Sequence, residues 1–283
     1  MKENFKIGII GGAGKMGRLF QVFFEKKGYE VLISDKEEGL SLEELLARAK
    51  VILLSLPMEV FPQMVQKISP FVDERHWILD ICSLKLEPSK TMKKYLKKGE
   101  LLATHPLFGP YEEDLKGKTW AIYPLRGKNL YRWFCTLLAE EGIKWVKISP
   151  KRHDQIMAIV QVLNHFWLVL LGKVLYDCGI SPKEILNLST PSFLAQLQIL
   201  SRLAKQDANL YARIQLENPF GKRIRKLLCH NCNFLEKSLD PKNPESYWSF
   251  VENFKIAQII AKELEELFSM NSPKEKGASC NHS

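Results

Sequence analysis

From residue 5 to residue 148, short apolar runs alternate with segments of helical period. Residues 5–10, 31–33, 51–56, 76–81, 101–104, 119–123 and 144–148 read as strands: each is short, apolar and bounded by glycine, proline or polar residues. Between them, apolar positions recur at helical spacing. Leu19, Phe20, Phe23 and Phe24 mark the first helix, and residues 41–49, 62–68, 88–97 and 130–140 read as further helices. Strands apolar on both faces and separated by helices predict a parallel sheet covered on both sides.

The pattern changes at Ser149-Pro150, after which no strand is predicted. Ser149-Pro150, Ser181-Pro182, Thr190-Pro191, Asn218-Pro219 and Asn243-Pro244 each place a capping side chain before a proline, which suits the first helical position. Ser181 and Glu184 fit a capping box, and Gly179 fits the end of the preceding helix. The expected organisation is an α/β doubly wound domain over residues 1–149 and an all-helical domain over 150–270. A disordered polar tail is expected over 271–283. The helix expected over 150–178 is apolar on nearly every face between Ile156 and Leu175, which predicts burial all round. A membrane span is the rival, but Gln161, Asn164, His165 and Lys173 interrupt the run, so no membrane partner is expected. So apolar a helical domain predicts a homodimer.

Candidate chemistry begins where the first strand ends. Gly12-Ala13-Gly14-Lys15-Met16-Gly17 follows the strand and opens the first helix, and the second strand ends at Asp35. In a strand–turn–helix of this kind, Gly12 permits the tight turn and Gly14 lets a pyrophosphate approach the backbone. Gly17 allows close helix packing, and free N–H groups at the helix start face the phosphates. Asp35 lies where a carboxylate accepts from the adenine-ribose hydroxyls, which favours NAD; Lys36 beside it is the residue that would meet a 2′-phosphate. A Rossmann-type dinucleotide domain is therefore predicted. Pro57 and Met58, after the third strand, are placed on the adenosine side of the groove.

Net charge is +9, and Lys222-Arg223-Ile224-Arg225-Lys226 is a local basic cluster. No nucleic-acid motif accompanies it, so a solvated helix face is expected, with no nucleic-acid partner. The positive balance also suits a small anionic substrate. Met1-Lys2-Glu3-Asn4 runs straight into the first strand without a leader pattern, which predicts a cytoplasmic protein with reduced thiols. Cys229 and Cys232 form a lone CxxC without a second pair at zinc spacing, so no metal is expected.

His105-Pro106-Leu107-Phe108-Gly109-Pro110 follows a strand, and His153-Asp154-Gln155 and Arg202-Leu203 come later. With the glycine segment and the pattern from His153 to Gln161, they resemble prephenate dehydrogenases of tyrosine biosynthesis. The similarity is to the dehydrogenase half of the bifunctional chorismate mutase–prephenate dehydrogenases, and runs from the first strand to about residue 268. Neither a mutase helix region nor a regulatory domain of the ACT type is recognisable. The resemblance implies NAD-dependent oxidative decarboxylation of prephenate to 4-hydroxyphenylpyruvate.

On that resemblance His105 is the proton acceptor, since a neutral imidazole can take the hydroxyl proton as hydride departs. Ser83 would orient His105 near the nicotinamide. Arg202 would bind a prephenate carboxylate, to which a planar guanidinium can donate two parallel hydrogen bonds. His153 is placed on the substrate side, with Gln161 and His165 continuing a polar stripe along its helix. Tyr111-Glu112-Glu113-Asp114 adds an acidic stretch that would suit the ammonium group of arogenate. An arogenate or dual-substrate enzyme is thus the alternative, and a dinucleotide-binding sensor without catalysis is the reading from another class.

Overall fold

The computed structural model describes residues 5–271. Residues 1–4 and 272–283, including almost all of the expected disordered tail, lie outside them. Two compact units divide between Arg225 and Lys226.

The first unit begins with β1 (Ile7–Ile10), α1 (Lys15–Lys26), β2 (Val31–Ser34), α2 (Leu42–Arg48), β3 (Val51–Leu54), α3 (Phe61–Ile68) and β4 (Trp77–Asp80). It continues with α4 (Leu86–Tyr95), β5 (Glu100–Pro106), β6 (Thr119–Arg126), α5 (Asn129–Glu140) and β7 (Lys144–Lys147). The strands form one sheet in the order β2-β1-β3-β4-β5-β6-β7. The four parallel pairings from β2 to β5 bring the carboxyl ends of β1 to β5 to one edge. The sheet departs from the all-parallel expectation at β5 and β6, which are antiparallel. A loop without a helix joins them, so the chain turns back instead of crossing over. β7 returns through α5 to pair parallel with β6, and as the exposed edge strand it is not the buried run expected.

Side chains at helical spacing explain why the helices cover the sheet. α1 buries Gly17, Phe20, Phe23 and Phe24. Phe20 packs at ring-centroid distances of 5.2 Å from Trp120 and 6.5 Å from Phe108. Full burial of such a side chain stabilises by about 1.5–3 kcal/mol. On the other face Leu45, Leu46, Phe61, Val65 and Met92 pack over Ile52 and Ile78. α2 starts at a complete capping box between Ser41 and Glu44.

From Ser149 onward every element is helical: α6 (Pro150–Met157), α7 (Asn164–Asp177), α8 (Pro182–Asn187), α9 (Pro191–Ser201), α10 (Ala208–Glu217), α11 (Gly221–Ser238) and α12 (Glu245–Asn271). The caps act as the sequence indicates at Ser149, Ser181 and Thr190, whose hydroxyls accept from backbone N–H groups of the first turn. The residues expected to form one long helix after Ser149 contain a wider turn of π type, Ala158–Leu163, between α6 and α7. Gln215 Nε2 donates to the carbonyl of Val162 there, at 2.8 Å. Burial all round does not hold within the chain: Ile159, Val160, Trp167, Val169 and Val174 are exposed. Pro150–Asp177 is, among the described residues, the one helical run long and apolar enough to cross a membrane.

The second unit comprises the rest of α11 and α12. Cys229 and Cys232 are free and exposed on α11, and Lys222, Arg223 and Lys226 are exposed on the same helix.

Candidate active site

A cavity of about 530 Å³ opens at the carboxyl edge of the sheet. Its lining includes Met16 from α1, Ser83 after β4, His105 and Pro106 at the end of β5, and residues 107–112 beyond it. The opposite side is helical, with Met157, Gln161, Asn164 and His165 around the π-type turn, Arg202 at the end of α9, and Tyr211 on α10. Clefts at the carboxyl ends of strands are where doubly wound sheets take ligands.

The glycine loop lies on the same edge. Gly11, at φ 84°, makes the turn out of β1. The sequence reading gave that task to Gly12, but Gly12 is glycine for another reason: a Cβ there would meet the Ile33 side chain at 2.7 Å. A Cβ on Gly17 would come within 2.3 Å of the Gly11 carbonyl, so α1 can approach the loop only without one. A Cβ on Gly14 would meet only the Gly11 carbonyl, at 3.4 Å, which leaves its outer side open. Ala13 N–H donates to Asp35 Oδ2 at 2.9 Å and Lys36 N–H to Asp35 Oδ1 at 2.8 Å, which fixes the carboxylate beside the loop. These residues fit a dinucleotide: an open loop at a helix start, and an acceptor at the end of β2. Lys15 Nζ donates to the Tyr111 hydroxyl at 2.7 Å, and that hydroxyl donates to the Lys205 carbonyl at 3.2 Å. The contact joins the glycine loop, the loop after β5 and the turn carrying Arg202. Pro57 is exposed just beyond β3, with Met58 half-buried after it.

His105 is 4% exposed, and its Nδ1 lies 2.9 Å from His153 Nε2. His153 Nδ1 is in turn 2.7 Å from Asp154 Oδ1. Burial, then the neighbouring His153, then Lys85 hold His105 well below the usual histidine range, so its resting form is neutral. Burial also lowers His153, against the pull of its hydrogen bond to Asp154. Beneath them Lys85 Nζ is buried and bonded to Asp80 Oδ2 and to the Thr104 carbonyl. Thr104 N–H donates to Asp80 Oδ1 at 3.2 Å and Cys82 N–H to Asp80 Oδ2 at 3.0 Å, so this ion pair is satisfied on several sides.

The structure brings His105, Ser83 and Arg202 to one cavity. His153 it places elsewhere: 1% exposed, absent from the lining, with both ring nitrogens engaged. The π-type turn divides the polar stripe expected on one helix, so that Gln161 and His165 reach the cavity while His153 stands behind His105. The partner of His105 Nδ1 is His153, not Ser83. The sequence pattern assigns no role to Asp80 or Lys85, and Asp154 enters it only within His153-Asp154-Gln155. Their signal is visible only in hindsight: charged residues where a buried strand or an apolar helix face is due.

Two family models match the chain, the nucleotide-binding domain of prephenate dehydrogenase over residues 23–136 and its dimerization domain over 149–256. The chain belongs to the prephenate dehydrogenase family. A probable arogenate/prephenate dehydrogenase from Methanocaldococcus jannaschii is 30% identical over 262 residues, covering 86% of this chain and 59% of that protein. A T-protein from Enterobacter agglomerans is 33% identical over 206 residues, covering 73% of this chain and 55% of that protein. The chain thus spans less than two thirds of the length of either relative. The crystal structure of prephenate dehydrogenase from A. aeolicus, in complex with hydroxyphenyl propionate and NAD+, shares the fold. Its TM-score is 0.68 at 19% identity, over 91% of this chain and 98% of that one.

Proposed function

We propose that the chain is an NAD-dependent dehydrogenase that converts prephenate to 4-hydroxyphenylpyruvate and CO2. The observation that carries this reading is His105: a buried, neutral imidazole on the cavity wall, with Nδ1 engaged and no hydrogen bond to Nε2 among the described residues. A proton acceptor and an arginine share one cavity beside a glycine loop, which is what oxidation of a hydroxylated dianion requires.

In this reading Gly12, Ala13, Gly14, Lys15, Met16 and Gly17 hold the NAD pyrophosphate. Asp35 accepts from the ribose, and Pro57 borders the adenosine. When bound, NAD supplies the acceptor for the hydride that leaves the ring carbon bearing the hydroxyl. His105 takes the hydroxyl proton as the hydride departs. The electrons of the bond to the ring carboxylate then flow into the ring as CO2 leaves, and the product is aromatic. Prephenate dianion and NAD+ yield product anion, CO2 and NADH, so no proton is released overall. The proton held by His105 therefore returns to the ring oxygen. Arg202 holds a carboxylate through its planar fork, and Ser83, which lines the same cavity, hydrogen-bonds the substrate hydroxyl in this reading.

Arogenate, or use of both substrates, is the second reading. Glu112 lines the cavity and would suit an ammonium group, although Lys118 already pairs with it. The M. jannaschii relative carries both substrates in its name. We infer a homodimer as well. The support is the run of exposed apolar side chains on α7 and, separately, on α12, together with the family model described as a dimerization domain.

The test is NADH formation from prephenate and, separately, from arogenate, each with NAD and with NADP. Turnover of prephenate with NAD is expected, and Asp35→Ala should narrow the preference over NADP. No turnover of either substrate sinks the reading. Equal kcat/KM for the two cofactors in the unmutated protein sinks the ribose role and points to Lys36.

A further inference from the structure

The hydrogen-bond chain behind His105 ends on a carboxylate whose orientation is fixed from outside. Asp154 is 1% exposed. Its Oδ1 accepts from Lys85 N–H and its Oδ2 from Leu86 N–H, each at 2.8 Å, where α4 begins. Asn218 Nδ2 donates to the Asp154 backbone carbonyl at 3.0 Å, which fixes the same turn of α6. Both side-chain oxygens are thereby committed as acceptors.

The consequence passes through two rings. An acceptor opposite His153 Nδ1 requires the proton to sit on that nitrogen. A neutral imidazole carries one N–H, so His153 Nε2 is left as an acceptor. It faces His105 Nδ1, which must then be the donor. By the same count His105 Nε2 carries the lone pair, and His105 lines the cavity. Lys85 Nζ, bonded to Asp80 and to the Thr104 carbonyl, takes no place in this chain of hydrogen bonds, and its charge only favours the neutral rings.

We propose that Asp154 is a positioning residue that sets the tautomer of His105 through His153, presenting Nε2 to the cavity as the proton acceptor. When His105 is protonated, both its nitrogens are donors, and the chain of hydrogen bonds to the carboxylate stays intact. The consequence for turnover rests on the base role proposed above; the tautomer does not. A plain structural role is the competing account, since Asp154 also caps the first N–H groups of α4.

Imidazole 15N spectra of the ligand-free wild-type protein decide the first point. Nδ1–H is expected on both His105 and His153, and a resting His105 protonated on Nε2 overturns the proposal. In Asp154→Asn the Nδ1–H form of His105 should cease to dominate. Asp154→Leu, which offers no donor or acceptor, covers the case where asparagine turns its oxygen to the ring. An unchanged tautomer in a folded Asp154→Leu protein overturns the proposal. Turnover tests the second point. Asp154→Asn should lower kcat roughly 10²–10⁴-fold with KM for prephenate within a few-fold. In a His153→Ala background the same substitution should cost almost nothing more, because the relay is already cut. Losses that multiply would assign Asp154 to capping alone. If wild type turns over neither substrate, the dehydrogenase reading fails and the spectra still judge the tautomer.

Discussion

On the sheet side of the cavity the polar groups around His105 are buried and paired, whereas on the helical side several are left waiting. At the sheet edge Asp80, Lys85 and Thr104 satisfy one another, and His153 and Asp154 reach the back of His105 from α6, paired with each other and with the start of α4. Across from them Gln161 Oε1 and His165 Nδ1 are buried without a hydrogen-bond partner among the described residues, and Arg202 is exposed. A buried unpaired polar group costs about 1–3 kcal/mol, so such groups persist where a ligand completes them. The difference suggests a division of labour: the sheet wall holds the proton-transfer geometry before substrate arrives, and the helical wall gains its partners from the substrate.

The largest effect should come from the sheet wall. His105→Ala removes the proposed acceptor, and kcat should fall roughly 10²–10⁴-fold while NAD affinity is nearly unchanged. Stopped-flow turnover beside NAD titration reads both. A kcat within a few-fold of wild type would show that the sheet wall is scaffold and that the base lies elsewhere.

The two walls were unequally legible in the sequence. His105 was readable because a strand, a turn and a motif fix it at a sheet edge, where position along the chain determines position in space. The position of the glycine loop and Asp35 at the same edge was readable for the same reason, although the turn falls at Gly11 and not at Gly12. His153 was misplaced because helical periodicity was assumed through residues 158–163, and one wider turn rotates everything after it. The antiparallel β5–β6 pair was missed because alternation of apolar runs does not record strand direction. The role of Asp154, which stands in the pattern His153-Asp154-Gln155, and the Asp80–Lys85 pair were not legible for a different reason. The backbone partners of Asp154, at Lys85 and Leu86, lie far along the chain, and no local pattern encodes such a contact; Asp80 and Lys85 are close in sequence, but apolar periodicity does not tell that the lysine turns back onto the strand's aspartate.

On the helical wall the larger effect belongs to Arg202. Losing a charge-assisted hydrogen bond to a carboxylate should raise KM for prephenate roughly 10–150-fold in Arg202→Ala, with Kd for NAD unchanged. Lysine should rescue only in part, since an ammonium lacks the planar fork. A normal KM in Arg202→Ala would remove the anchor from this wall. Arg213 on α10 is a poor substitute, because Glu59 and Glu217 hold it at 2.9 and 2.7 Å.

The smallest effect tests whether the helical wall has a cost in the empty protein. His165 stacks on Tyr211 with ring centroids 3.8 Å apart, and burial lowers its pKa to about 4. The unfolded chain titrates near the ordinary value of about 6.5, so between the two the unfolded state binds more protons. Stability contributed by the neutral ring is therefore complete above about pH 6.5 and is lost as pH falls towards about 4. His105 and His153 shift in the same direction, so the wild-type curve alone does not isolate one ring. His165→Phe keeps an aromatic ring on Tyr211 and removes the titration. Thermal midpoints measured across that window should fall less steeply with acid in His165→Phe than in wild type. Parallel curves would mean that His165 is protonated as easily in the folded protein as in the unfolded chain. The unpaired Nδ1 would then be a solvated atom and not part of a wall built to be completed by substrate.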